Sequence, residues 1–138
     1  FYTCFDTNYV NLLQYYYLRQ NNLNVGFKKK KKFYLLSNLK NNKNYFSNNS
    51  SKYAFIANWS LSETPIKFRK KFYSLIKNSE LILICFQEKF EEINNLKYFK
   101  NMEKKLRYNF KLKIINNEFY KGNIFNQQKH YFFIGKKL

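Results

Sequence analysis

Three glycines, one proline, one histidine, one methionine and two cysteines are spread over 138 residues, and Asp and Glu together number only 8. So few glycines leave no phosphate-cradling loop and no glycine-flanked nucleophilic serine. A lone histidine and two cysteines without paired spacing exclude a His/Cys metal cluster, and two cysteines are too sparse for the disulfide framework of a small secreted scaffold. Cys4 and Cys85 each sit in an apolar run and read as reduced core residues of a cytoplasmic protein. No apolar run approaches the roughly 18 residues of a membrane span, and the N-terminus lacks the basic, apolar, small-residue progression of a secretory signal.

Aromatics are abundant at 22% of the chain within a hydrophobic fraction of 45%. They supply a core and argue against a disordered basic tail, at the length of one domain. Lys and Arg number 26, for a net charge of +18. Such charge suits phosphate binding, and a basic nucleic-acid-binding module is one reading. The excess is almost all Lys, accompanied by Asn, Ile, Tyr and Phe with little Gly, Pro, Ala or Arg, the set that adenine- and thymine-rich codons encode. Base composition therefore accounts for the charge without a polyanionic partner.

Phe1 to Phe5 reads as a buried strand with no cap or turn ahead of it, as expected for a sequence that begins inside a domain. Asp6, Thr7 and Asn8 lead into a helix over residues 9–20, with Val10, Leu13 and Tyr17 at helical spacing. A connector with the five-lysine run Lys28 to Lys32 precedes a strand at Phe33 to Leu36, and Lys40 to Ser51 is a polar loop. Lys52 to Ala57 is a strand. Thr64 and Pro65 start a helix over 66–77 that turns Ile66, Phe68, Phe72, Leu75 and Ile76 inward and Lys67, Arg69, Lys70 and Lys71 outward. Leu81 to Phe86 is an uninterrupted apolar run, expected to be a central strand covered on both faces. Leu96 to Tyr108 is a basic helix, Phe110 to Ile115 alternates at period two, and Tyr131 to Gly135 is the last strand. The pattern is α/β, a doubly wound sheet with an antiparallel C-terminal strand pair, and shows neither repeat nor domain boundary.

Ligands of such sheets bind beyond the carboxyl ends of the strands. Asp6, Asn38, Asn58 to Glu63 and Gln87 occupy those positions. A carboxylate there can accept both hydroxyls of a ribose, and Asp is equally a helix cap. Two segments add detail. Asp6 to Leu18, ending Leu13-Gln14-Tyr15-Tyr16-Tyr17-Leu18, resembles the strand, Asp and Leu-Gln-x-Tyr-Tyr-Leu helix of the bacterial sugar O-methyltransferases. Phe55 to Glu63 resembles the Ile-Ser-Asn-Tyr-Ala-Phe-Ser-Glu segment after that family's fourth strand.

The resemblance implies a class I, Rossmann-like methyltransferase sheet that is incomplete because residues 1–138 supply it only from its second strand onward. S-adenosylmethionine would be the cofactor and a sugar or glycan-precursor hydroxyl the acceptor. Asp6 would hold the cofactor ribose, with Asn58 and Ser60 lining the cofactor side and Trp59 and Gln87 the acceptor side. Glu63 would be the base, with His130 as the other candidate; each also has a structural alternative, Glu63 at a helix N-terminus and His130 beside a strand. The family's glycine-rich cofactor turn has no counterpart, since Gly26, Gly122 and Gly135 are the only glycines. An inactive remnant is accordingly another reading.

Overall fold

The apolar run Tyr2–Phe5 forms strand β1 in the computed structural model, which describes residues 2–28, 31–37, 52–117 and 128–138. Thr7 turns the chain into helix α1 (Asn8–Gln20), its side chain accepting the Val10 N–H as an N-cap does. After the helix Asn22 sits in the left-handed region at φ 57° and the Leu23 N–H returns to the Leu18 carbonyl, a stop that Asn tolerates. Strands β2 (Val25–Gly26) and β3 (Phe33–Leu36) pair in parallel with β1 in the order β1-β3-β2. Central β3 buries Tyr34, Leu35 and Leu36, with Val25 beside them. β2 has no counterpart in the sequence reading, because two residues carry no periodicity.

Helix α1 does not bury the apolar residues that lie at helical spacing. Val10, Leu13 and Tyr17 are exposed, and the buried residue is Asn11. Asn11 Nδ2 donates to the Asp6 carbonyl at 3.2 Å, which turns that side of the helix toward the end of β1. These elements belong to the first of two compact units, residues 1–49 and 50–138, a division that the even composition does not signal. Phe1, Lys29, Lys30, Asn38, Lys40 to Ser51, Gly122 and Gln127 lie outside the described residues.

In the second unit β4 (Ala54–Asn58) leads to Pro65, which occupies the N-cap of α2 (Ile66–Arg69) and not the first helical position. The expected helix over 66–77 is divided into α2, a 3₁₀ turn at Lys70–Phe72 and α3 (Tyr73–Asn78). The division falls at Arg69, which is fully buried and not on a solvent-facing side as expected. Next come β5 (Leu81–Gln87), a small hairpin of β6 (Lys89–Phe90) and β7 (Ile93–Asn94), helix α4 (Asn95–Leu106), β8 (Phe110–Asn116) and β9 (His130–Lys137). Asn94 caps α4 by accepting the Lys97 N–H at 2.8 Å.

The sheet runs β4-β5-β9-β8, with β5 parallel to β4 and β9 antiparallel to both β5 and β8. The expected mixed α/β class with an antiparallel strand pair is therefore present. Alternation and register put Phe55, Ala57, Ile82, Ile84, Phe86 and Phe133 on one face. Phe72 meets Phe55 there with ring centroids 6.3 Å apart, and Phe99 of α4 meets Phe86 at 4.3 Å and Phe133 at 6.0 Å. Both helical segments thus cover the same face. β5 is central as expected, yet no described helix of this unit covers its other face. Among the described residues no helix is long and apolar enough to cross a membrane.

Candidate functional site

Parallel β4 and β5 deliver Asn58 and Gln87 to the same end of the sheet, and antiparallel β9 begins there, pairing His130 with Gln87. The Trp59 N–H continues the ladder past β4 by donating to the Cys85 carbonyl at 2.9 Å, after which the chain turns abruptly. The Ser60 N–H reaches back to the Asn58 carbonyl at 2.6 Å across Trp59, whose φ is 56°. A bulky residue in the left-handed region at the centre of so tight a turn is strained and persists only where its surroundings over-determine it. Here they do. The Trp59 carbonyl accepts from Ser62 Oγ at 2.7 Å and from the Glu63 N–H at 3.1 Å. The indole Nε1–H crosses the end of β5 to donate to His130 Nδ1 at 2.9 Å.

That bond assigns the lone pair of His130 to Nδ1 and, in the neutral ring, the proton to Nε2. Burial lowers the His130 pKa from its ordinary value, favouring that neutral ring. Ser62 Oγ also lies 2.8 Å from Gln87 Oε1, so its single hydrogen serves two acceptors, while Gln87 Nε2 donates to Glu63 Oε1 at 3.3 Å. The Asn58 Oδ1 accepts the Cys85 thiol at 3.4 Å.

Beneath this cluster Arg69 ties three segments together. Its Nε donates to the Thr64 carbonyl at 2.7 Å, Nη2 to the Ser62 carbonyl at 2.6 Å and Nη1 to Asn95 Oδ1 at 2.7 Å. Asn95 Nδ2 in turn donates to the Gln87 carbonyl at 3.0 Å. The guanidinium lies over the Tyr98 ring, 5.1 Å from its centroid. Burial lowers the Arg69 pKa from its ordinary value while Tyr98 opposes the shift, and burial raises that of Tyr98. The loop 59–64 and the start of α4 are thereby held by one planar fork of donors, and Asn95 extends the hold to the tip of β5.

Of the residues singled out in the sequence, Trp59, Glu63, Gln87 and His130 are joined by this network, and Asn58 and Ser60 flank Trp59 as exposed residues. Asp6 belongs to the first unit, half-buried at the carboxyl end of β1. Its Oδ1 accepts the Thr7 N–H at 2.8 Å, and the side chain that caps α1 is that of Thr7. Cys4 and Cys85 are free thiols, half-buried and buried, whose pKa values burial raises. Arg69 and Asn95 have no place among the expected site residues, and Ser62 enters only as part of the stretch Asn58 to Glu63. The available signal is that Arg69 is one of three arginines, with Arg19 and Arg107, in a chain whose basic residues are otherwise Lys. Among the described residues no three His, Cys, Asp or Glu side chains gather as metal ligands would. No family model, curated protein or solved structure matches the chain.

Proposed function

We propose that this chain serves an S-adenosylmethionine-dependent O-methyltransferase whose acceptor is a sugar or glycan-precursor hydroxyl. The observation that carries the reading is the strained Trp59 turn, tied to His130 at the carboxyl ends of β4 and β5, where open α/β sheets bind ligands. The antiparallel finish of the sheet, with β9 between β5 and β8, supports a methyltransferase sheet, as do the two segments at Asp6 to Leu18 and Phe55 to Glu63.

The side chains fit the cofactor chemically. In the first unit Asp6 offers a carboxylate at a strand tip, the chemistry that accepts the two hydroxyls of a ribose, and in the second unit, taken by itself, Asn58 and Ser60 present polar groups at the exposed end of β4. When bound, S-adenosylmethionine supplies a methyl carbon that passes from its sulfonium sulfur to the sugar oxygen, the electron pair of the broken bond staying on sulfur. Trp59 gives the sugar ring a flat apolar wall, fixed in place by His130, and Gln87 orients Glu63. The lone pair of His130 is engaged by the indole, so the exposed Glu63 carboxylate takes the hydroxyl proton as the new bond forms.

Calorimetric titration of the full chain with S-adenosylhomocysteine tests the reading. Asp6→Ala should weaken binding more than about tenfold, the worth of a hydrogen-bonded charge. Glu63→Gln should leave affinity unchanged and lower methyl transfer about a hundredfold or more. Absence of binding, or an Asp6→Ala variant with unaltered affinity, overturns the assignment.

A further inference from the structure

The face of the β4-β5-β9-β8 sheet turned away from α2, α3 and α4 is apolar where the parallel strands run. Ile56, Leu83 and Ile134 lie side by side across β4, β5 and β9, and Phe132 and Ile115 extend the patch on the next row. Ile56 is 62% exposed, Ile115 44% and Ile134 40%. Parallel strands are ordinarily covered on both faces, because the apolar side of a sheet is stable only against a second layer. A contiguous exposed apolar patch marks an interaction surface.

The border of the patch says what covers it. Lys111 stands directly opposite Lys136, Lys113 stands beside Ile134, and all three lysines are exposed. Like charges facing each other across a strand pair are destabilising, and a carboxylate-bearing partner relieves the repulsion. We propose that this face docks an amphipathic helix of a different protein, with an apolar stripe over Ile56, Leu83 and Ile134 and an acidic flank against Lys111, Lys113 and Lys136. A second copy pairing through the same face is a poor match, since it would bring a second set of exposed Lys111, Lys113 and Lys136 to the same border. The proposal is independent of the methyltransferase reading.

The probe is an amphipathic peptide of about 18 residues, long enough to span the strands at 1.5 Å per residue, with a leucine stripe and a Glu flank. Its twin carries a Lys flank. Calorimetry with the full chain should show the Glu peptide binding at least about tenfold more tightly than the Lys peptide. Ile56→Asp, at an exposed position that leaves the circular dichroism spectrum intact, should weaken binding about tenfold or more. Lys111→Glu combined with Lys113→Glu should reverse the preference between the peptides. Equal binding of the two peptides, no binding, or an unaffected Ile56→Asp complex overturns the proposal. So does a sedimentation-detected dimer that Ile56→Asp abolishes, which assigns the face to self-pairing, or tighter binding to anionic vesicles than to the peptide.

Discussion

Arg69 is a charge held in the interior by three neutral oxygens and an aromatic face. Removing it leaves the Ser62 and Thr64 carbonyls and Asn95 Oδ1 without their donor, and unpaired buried acceptors are the expensive outcome. Arg69→Met should therefore destabilise the chain by about 2 kcal/mol or more in urea unfolding, and Arg69→Lys should not restore it, because an ammonium cannot span three acceptors in one plane. A Met variant of unchanged stability would show that the fork is dispensable. His130 carries a second prediction. Its folded pKa lies below the ordinary value of about 6.5, through burial. The folded state thus binds the proton less readily than the unfolded state, so this contribution to stability is fully present above about pH 6.5 and is lost as pH falls through the lower folded value. Protonation also removes the Nδ1 acceptor from the Trp59 indole, so the emission of this sole tryptophan should change over that acidic interval. His130→Gln should abolish both effects. A pH-independent emission in the parent chain would contradict the hydrogen bond.

Among the elements, β9 accommodates its neighbours through Gly135. A Cβ there would meet Leu112 Cδ2 at 2.6 Å and Ile82 Cδ1 at 3.2 Å, residues that flank Gly135 in register on β8 and β5. Gly135→Ala should cost about 1–3 kcal/mol by overpacking, whereas at Gly26 the added carbon meets only the flexible Lys31 side chain, at 3.2 Å, and should cost less. Thermal melts of the two variants compare them directly. The elements that are legible in the sequence are those whose pattern is set by one covered face. The apolar run of β5 and the alternation of β8, with Phe110, Leu112 and Ile114 turned inward between lysines, locate both strands. Phe99, Met102 and Leu106 likewise mark the inner side of α4. Reading failed where a long-range polar contact decided the matter. Arg69 looks solvent-facing by spacing, and its burial depends on oxygens at Ser62, Thr64 and Asn95. Val10, Leu13 and Tyr17 lie at helical spacing yet are exposed, while the buried residue of α1 is Asn11, whose Nδ2 donates to the Asp6 carbonyl. Strand ends indicated Asn58, Trp59, Glu63 and Gln87 as site residues, but no residue type signals a left-handed tryptophan.

For the molecule as a whole, a charge of +18 is an energetic burden borne by both units. Eight Lys and Arg face one acid in residues 1–49. In the second unit Lys104 and Lys105 complement the C-terminal end of the α4 dipole, yet Lys111 and Lys136 confront each other across a strand pair. The ion pair between Lys137 Nζ and Glu80 Oε1, at 3.4 Å, joins exposed side chains and offsets little of this repulsion. Unfolding separates the charges, so self-repulsion favours the unfolded chain. Salt should therefore stabilise this protein, contrary to its effect on folds held by surface ion pairs. The Debye length falls from roughly 20 Å to 7 Å between about 0.02 and 0.2 M NaCl, which screens the repulsion among exposed charges. A gain of about 1 kcal/mol over that range would raise Tm by about 3–5 °C for a chain of this size. Replacing Lys111 and Lys113 by Glu should flatten the dependence, since it converts one repulsive pair into an attractive one and lowers the net charge. A Tm that is flat or falls with NaCl in the parent chain would show that charge repulsion does not limit its stability.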